Sequence, residues 1–138
     1  MGLEAVGTGL KTVLSNISGL RIFAPNELPD GIPELPCCLI LHAGTKYNQS
    51  FGGTSSKQQH RFRVKIALTK QDTPSAFNKI LDYLDITGSY SVYAKIEADT
   101  TLDGSCSDSW IIEDTGQGGF IWGGVTFLGT EFLVEAWE

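Results

Sequence analysis

The sequence predicts a single α+β domain in which helices pack on one face of an antiparallel or mixed β-sheet. Two kinds of pattern carry this prediction: apolar residues recur at helical steps in some segments and follow strand-type patterns in others. The predicted order of elements is α-β-β-β-α-(α)-β-β-β, which is typical of a sheet with helices on one side. A length of 138 residues fits one domain, residues 1–138.

A helix is the first predicted element. Its apolar residues recur at three- and four-residue steps, and they are Leu3, Val6, Leu10, Val13, Leu14 and Ile17. Ser18 and Gly19 end the helix, because glycine readily adopts the left-handed conformation that closes one. A short strand is predicted at residues 20–24. Residues 25–36 contain four prolines, which fix φ and lack an N–H donor, so an extended connector is predicted there.

Two strands and a long loop are predicted in the middle of the chain. Residues 37–43 form an apolar run broken by His42, which is typical of a central strand. Residues 61–69 alternate, with Phe62, Val64, Ile66 and Leu68 on one face and Arg61, Arg63 and Lys65 on the other. The polar, glycine-rich segment 44–57 between them predicts a long hairpin loop.

The second half begins with a predicted helix, capped by Asp72 or Thr73. Its apolar stripe is Phe77, Ile80, Leu81 and Leu84. Residues 92–101 fit both a helical step and a strand alternation, and we favour a short helix. Strands are predicted at 109–113 and 120–137, the latter interrupted by Gly123-Gly124 and by Gly129. At its end, Phe132, Val134 and Ala136 share one face, and Glu131, Leu133, Glu135 and Trp137 share the other.

Composition argues against several classes of protein. A net charge of −6 disfavours a dedicated nucleic-acid binder, because gripping phosphates needs a basic patch. No apolar run approaches the ~20 residues of a membrane span and no signal peptide opens the chain, so we expect a soluble protein made in the cytoplasm. Cys37, Cys38 and Cys106 are odd in number and irregularly spaced, so we expect reduced thiols and no zinc site.

The candidate catalytic motifs are incomplete. Neither His42 nor His60 has a nucleophile context; we interpret His42 as a strand residue facing a loop and His60 as a solvated residue before its strand. Residues 7–12 lack the Gly-Lys pair of a phosphate loop, and Gly7 and Gly9 instead permit close packing of the first helix. Residues 99–110 resemble a calcium loop but place Thr101 and a tryptophan at ligand positions. We therefore predict no catalytic residues, cofactor or metal.

Two features suit contact with other proteins. The loop at residues 44–57 places aromatic residues among polar ones, with Tyr47, Asn48, Gln49, Phe51 and Lys57 as the candidate contacts. The basic face formed by Arg61, Arg63 and Lys65 is either a solvated surface or one that pairs with an acidic patch on a neighbouring subunit.

Several short motifs follow one another in a characteristic order. They are Gly19-Leu20-Arg21-Ile22-Phe23, Leu35-Pro36-Cys37-Cys38-Leu39-Ile40, Phe62-Arg63-Val64, Leu81-Asp82-Tyr83-Leu84 with Gly88-Ser89, Ile96-Glu97-Ala98-Asp99-Thr100-Thr101-Leu102 with Gly104, and Leu128-Gly129-Thr130-Glu131-Phe132. In this order, and over nearly the whole chain, they resemble the tail-terminator (tail-completion) proteins of long-tailed bacteriophages.

The resemblance implies a virion protein, assembled in the host cytoplasm, whose hexameric ring caps the head-proximal end of the tail tube. Such a ring stops tube polymerisation and joins the tube to the neck, so the implied partners are further copies of the chain, the tail-tube protein and a neck protein. It also implies that residues 44–57 project towards the tube or neck and that Trp137 lies near subunit contacts. An acidic subunit suits a lumen through which DNA passes without sequence-specific binding.

Two other functions remain open at this point. A head-completion (stopper) protein of the neck would have a similar size and composition. A monomeric ligand-binding module belongs to a different class and would be a compact monomer in solution. A hydrolase is disfavoured because no base–nucleophile pair is evident.

Overall fold

The computed structural model describes residues 2–47, 58–70 and 74–137. Its elements are α1 (Leu3–Leu14), β1 (Arg21–Phe23), β2 (Cys37–Lys46), β3 (Gln59–Thr69), α2 (Pro74–Leu84), α3 (Val92–Ala98), β4 (Asp108–Asp114), β5 (Gly118–Trp122) and β6 (Val125–Trp137). The strands form one sheet in the order β1-β2-β3-β6-β4, and β5 pairs with the first part of β6. Only the β1–β2 pairing is parallel among the described strands, so the predicted mixed-sheet α+β class is confirmed.

The centre of the sheet is the antiparallel pair β3 and β6. Their register runs from Gln59 opposite Trp137 to Thr69 opposite Leu128. Because side chains alternate along a strand, this register places the apolar residues of both strands on one face. The buried residues of that face on the two strands are Phe62, Val64, Ile66, Phe132, Val134 and Ala136. The predicted division of both strands into an apolar and a charged face is therefore confirmed.

The helices cover this apolar face. From α1 the core receives Val6, Leu10, Val13 and Leu14, from α3 Val92 and Ile96, and from α2 Tyr83. Removing such side chains from water stabilises the fold by about 25 cal/mol per Å² of apolar surface. The helix favoured at residues 92–101 is confirmed over Val92–Ala98, and the Ser91 hydroxyl accepts a hydrogen bond from Ala94 N at 3.0 Å as its N-cap.

The opposite face of the sheet is partly covered by the hairpin of β5 and β6. Phe120 and Trp122 of this hairpin pack on a buried cluster of Phe23, Cys37 and Leu39. Trp122 Nε1 donates a hydrogen bond to Pro29 O at 3.0 Å, which ties the hairpin to the proline-rich connector. The helices thus account for one face of the sheet, and the hairpin shields part of the other.

Two glycine positions predicted to interrupt the last strand behave differently. Gly123 and Gly124 both have positive φ, which is the requirement of a tight two-residue hairpin turn, and they connect β5 to β6. Gly129 does not interrupt the strand, because β6 runs continuously from Val125 to Trp137. A Cβ atom at Gly129 would lie 1.7 Å from Ile66 O, so glycine allows β3 and β6 to approach closely there.

Four other predictions are wrong in detail. The first helix, predicted to end at Ser18 and Gly19, ends at Leu14. The strand predicted to end at residue 43 continues to Lys46, so the start of the predicted loop is strand. The next strand begins at Gln59, and His60, expected to be solvated, is 5% exposed. In α2, Leu81 is 50% exposed while Tyr83 is buried, because the helix turns Ile80 and Tyr83 towards the core. The predicted caps Asp72 and Thr73 lie outside the described residues.

None of the described helices is long and apolar enough to cross a membrane.

Close packing of α1 depends on its two glycines, as the sequence predicts. A Cβ atom at Gly9 would lie 2.1 Å from Leu102 O and 2.2 Å from Ser105 Oγ. A Cβ atom at Gly7 would lie 2.8 Å from Pro25 Cδ. All three distances are shorter than van der Waals contact, so α1 packs closely against both segments.

We expect Gly9→Ala to lower the free energy of unfolding by about 2 kcal/mol, because the added methyl group overlaps Leu102 O. At an open helical position the same change would raise stability by up to about 1 kcal/mol, so the sign of the change identifies the contact. Urea unfolding followed by circular dichroism measures it. Thr8→Ala, at an exposed position of the same helix, is the control and should change stability by less than about 0.5 kcal/mol. A stabilised Gly9→Ala variant would refute the close approach.

Candidate functional site

The candidate site is the part of the sheet that faces away from the helices and lies beyond the β5–β6 hairpin. We call it the open face. The register of β3, β6 and β4 arranges its side chains in three rows: Arg61, Glu135 and Trp110; Arg63, Leu133 and Glu113; and Lys65 with Glu131. Each row crosses the strands at right angles, so charged and apolar side chains follow one another across the open face in a fixed order.

The first row is a cluster around Glu135. Arg61 Nε lies 2.8 Å from Glu135 Oε2, and Trp110 Nε1 donates to Glu135 Oε1 at 3.2 Å. Both carboxylate oxygens therefore have a donor. The Glu135 side chain is 10% exposed and the Arg61 side chain 37% exposed, so water screens this pair less than a fully exposed one.

The third row is a looser ion pair. Lys65 Nζ lies 3.6 Å from Glu131 Oε1, which is within ion-pair range but beyond hydrogen-bonding distance. The ammonium group also lies 5.4 Å from the centre of the Phe120 ring, on the hairpin that borders the open face. Lys65 is thus held between a carboxylate and an aromatic ring.

The middle row is different from its neighbours. Arg63 and Glu113 are both exposed, and Leu133 of β6 lies between them. Within the part of the chain that the structure describes, neither Arg63 nor Glu113 takes part in an ion pair or a side-chain hydrogen bond. The open face therefore has a row with an unpaired positive charge at one end and an unpaired negative charge at the other.

These rows change the interpretation of the predicted basic face. Two of its three cations, Arg61 and Lys65, have acidic partners on the same chain, and Arg63 alone of the three has none among the described residues. The alternation of β6 places Trp137 on the same side, opposite Gln59 and beside the first row. No sequence pattern indicated that Glu131 and Glu135 lie directly opposite Lys65 and Arg61, because that depends on strand register.

The predicted loop contacts are only partly described. Tyr47 directly follows β2 and is 69% exposed. The other loop candidates, Asn48, Gln49, Phe51 and Lys57, lie outside the described residues.

The two histidines lie together at the end of the sheet beside this loop. Thr45 Oγ1 is 2.8 Å from His42 Nε2 and 2.9 Å from His60 Nδ1, so one hydroxyl group links both rings. His42 and His60 also contact Phe62 edge-on. The hydroxyl has a single proton, so it can donate to only one of the two rings. Among residues 2–47, 58–70 and 74–137, no group of three or more His, Cys, Asp or Glu could hold a metal ion.

The three cysteines are free and buried. Cys38 lies in the core under the helices and Cys37 in the cluster on the opposite face, as alternation along a strand requires. Burial raises the pKa of Cys37 and of Cys106 to about 11, and it raises the pKa of Cys38 as well. At neutral pH these thiols are therefore protonated and poorly nucleophilic.

The acidic turn after α3 is held by its own hydrogen bonds. The Asp99 carboxylate accepts from Thr101 Oγ1 at 2.7 Å and from Asp103 N at 3.0 Å, and these two bonds lower the pKa of Asp99. Leu102 and Asp103 both have positive φ, and Leu102 is fully buried. The turn therefore serves to insert Leu102 into the core against Gly9.

Comparison with protein-family models gives no match, and neither does comparison with curated proteins.

We expect Glu135→Ala to lower the free energy of unfolding by about 2 kcal/mol, because it leaves Arg61 and the Trp110 indole N–H without their acceptor. Glu113→Ala is the matched control on the same face; Glu113 is exposed, and its loss should cost less than about 0.5 kcal/mol. Urea unfolding at low protein concentration measures both. Equal effects of the two substitutions would show that the Glu135 cluster contributes no more than a solvated charge.

Proposed function

We propose that this chain is a structural virion protein, a tail terminator whose hexameric ring caps the head-proximal end of a phage tail tube. In this role it stops polymerisation of the tube and joins the tube to the neck. The observation that carries the proposal is the open face, a charge-patterned surface on a sheet that helices cover from the other side. Charges held in a fixed order can match an opposite order of charges on another protein.

The fold supports the proposal in a general way. The resemblance in sequence implies a sheet backed by helices, and this chain has such a sheet. Its two sides carry different chemistry. The helix side exposes carboxylates that include Asp82, Asp85 and Glu97, whereas the open face combines charged residues with Trp110 and Leu133. A terminator needs two unlike surfaces, because it binds the tube on one side and a different protein on the other.

The mechanism requires positioning and no covalent chemistry. The paired charges of the first and third rows, Arg61 with Glu135 and Lys65 with Glu131, fix the side chains that a partner would meet. Side chains already ordered before binding lose less conformational entropy on association. A ring of such subunits ends tube growth by occupying the tube's terminal surface. The net charge of −6 is compatible with a lumen that lets DNA pass.

A gene deletion in the phage that encodes the chain tests the proposal. Without the protein we expect tails of irregular and excessive length, seen by negative-stain electron microscopy, and normal tails when the gene is supplied from a plasmid. Tails of normal length that fail to join heads would instead identify a stopper protein of the neck. Normal, infectious particles without the protein would refute a structural role.

The predicted loop gives a sharper test in the same complementation assay. Tyr47 is 69% exposed, and aromatic residues at interfaces often contribute about 2 kcal/mol or more to binding. We expect Tyr47→Ala combined with Phe51→Ala to leave the thermal midpoint nearly unchanged and to produce tails of irregular length. Ile86→Ala, a control at a 66% exposed apolar residue after α2, should affect neither property. Early unfolding of the double variant would contradict the loop prediction.

A further inference from the structure

We infer that the open face binds a second copy of this chain about a two-fold axis that lies in the interface, parallel to β6 and over Leu133. The inference concerns the free subunit and does not depend on the proposed tail function. It starts from the middle row, Arg63-Leu133-Glu113, in which Leu133 pairs with Arg63 of β3 and, after a register shift between Ile111 and Glu113, with Glu113 of β4. This row is positive at one end, apolar at its centre and negative at the other end.

The charges at the two ends of this row are separated by the width of β6. Neighbouring strands lie about 4.8 Å apart, so the backbones of Arg63 and Glu113 are about 10 Å apart. Among the described residues no ion pair joins them, whereas the cations of both flanking rows have carboxylate partners. The middle row therefore retains two charges that a partner with the opposite order of charges would match.

A second copy has that opposite order. Rotation by 180° about an axis parallel to β6 and between the two faces places Arg63 of one subunit against Glu113 of the other, and Glu113 against Arg63. Leu133 then meets Leu133 of the copy on the axis. This is the pattern of an isologous interface, in which residue i contacts j and j contacts i. The row is complementary to itself in charge and in polarity.

The flanking rows are compatible with this arrangement. In the first row, the same rotation places Arg61 against Trp110 of the copy, and a guanidinium group stacks well on an indole ring. Glu135 and Glu131 then lie near the axis and face their own copies. Each carboxylate is neutralised by a cation of its own subunit, at 2.8 Å for Glu135 and 3.6 Å for Glu131. These intrachain pairs remove most of the repulsion across the axis.

The size of the surface makes this a weak dimer. Three rows on three strands cover about 300 Å² of sheet surface, given the spacing of strands and residues in a sheet. Stable complexes bury about 800 Å² on each partner. We therefore expect monomers at low concentration and dimers that form reversibly as concentration rises.

Charge reversal tests the pairing. Sedimentation velocity is run on the full chain between about 10 and about 500 µM, a range that spans weak association. We expect Arg63→Glu and Glu113→Arg each to weaken dimerisation at least about tenfold, because each places two like-charged pairs in the interface. The double variant, with both charges exchanged, should recover the dimer. Glu97→Arg, an exposed charge reversal on α3, should leave it unchanged.

A cysteine on the axis provides a second test. Leu133 meets its own copy across two sheets about 10 Å apart, which is too far for a direct disulfide, so Leu133→Cys should be joined to its copy by a short bismaleimide cross-linker. Asn78→Cys, at an exposed position of α2, should not. The native cysteines are buried and do not compete. A monomer at the highest concentration, failure of the double variant to recover, or equal cross-linking at positions 133 and 78 would each overturn the inference.

The same measurements separate this inference from the tail function. If the unmodified chain forms hexamers, and not dimers, and these hexamers respond to the same charge reversals, the row lies in a ring contact and the two-fold arrangement is refuted. If the dimer forms as described but deletion of the gene leaves tails normal, the proposed function fails and the pairing stands.

Discussion

The antiparallel pairing of β3 with β6 is the contact on which the rest of the structure depends. It joins residues 59–69 to residues 128–137, so it closes the chain between its middle and its end. Because side chains alternate, one register sets both faces of the sheet: Phe62 and Phe132 turn towards the helices, and Arg61 turns away from them. A slip of β3 by one residue would turn its charged residues towards the helices and its apolar residues away from them. The helical core and the open face are therefore two results of the same pairing.

Local patterns predicted those parts of the fold that depend on nearest neighbours along the chain. Alternation in β3, the helical step of α1 and the interruption at Gly123-Gly124 were all predicted from short segments, and each is present. The errors arise where contacts between distant segments determine the local structure. Residues Gly44 to Lys46 are polar and include glycine, yet they are strand because β3 pairs with them. His60 is buried for the same reason, since its cross-strand partners are Thr45 and Ala136.

The candidate site also depends on contacts between residues that are far apart in the sequence, and local patterns do not predict such contacts. The sequence predicted which side chains point away from the helices, including Arg63 and Leu133. It did not predict which charges meet, because Arg61 and Glu135 are 74 positions apart and pair only in one register. The hairpin of β5 and β6 could not be predicted to fold over this face, since the hydrogen bond from Trp122 to Pro29 spans 93 positions. The strand register and the position of the hairpin together determine which part of this sheet face stays uncovered.

The difference between the paired and unpaired rows bears on how the open face recognises a partner. An ion pair that already exists within the chain, such as Arg61 with Glu135, gains little from a new partner, because the partner would only replace an existing interaction. Its contribution is to hold the surface rigid and to reduce the cost of bringing carboxylates close to another protein. Arg63 and Glu113 instead face water, so a matching partner adds two interactions and a mismatched partner adds two repulsions. In the proposed pairing, stability and selectivity belong to different rows of one face: the outer rows keep the sheet surface ordered, and the middle row discriminates among partners.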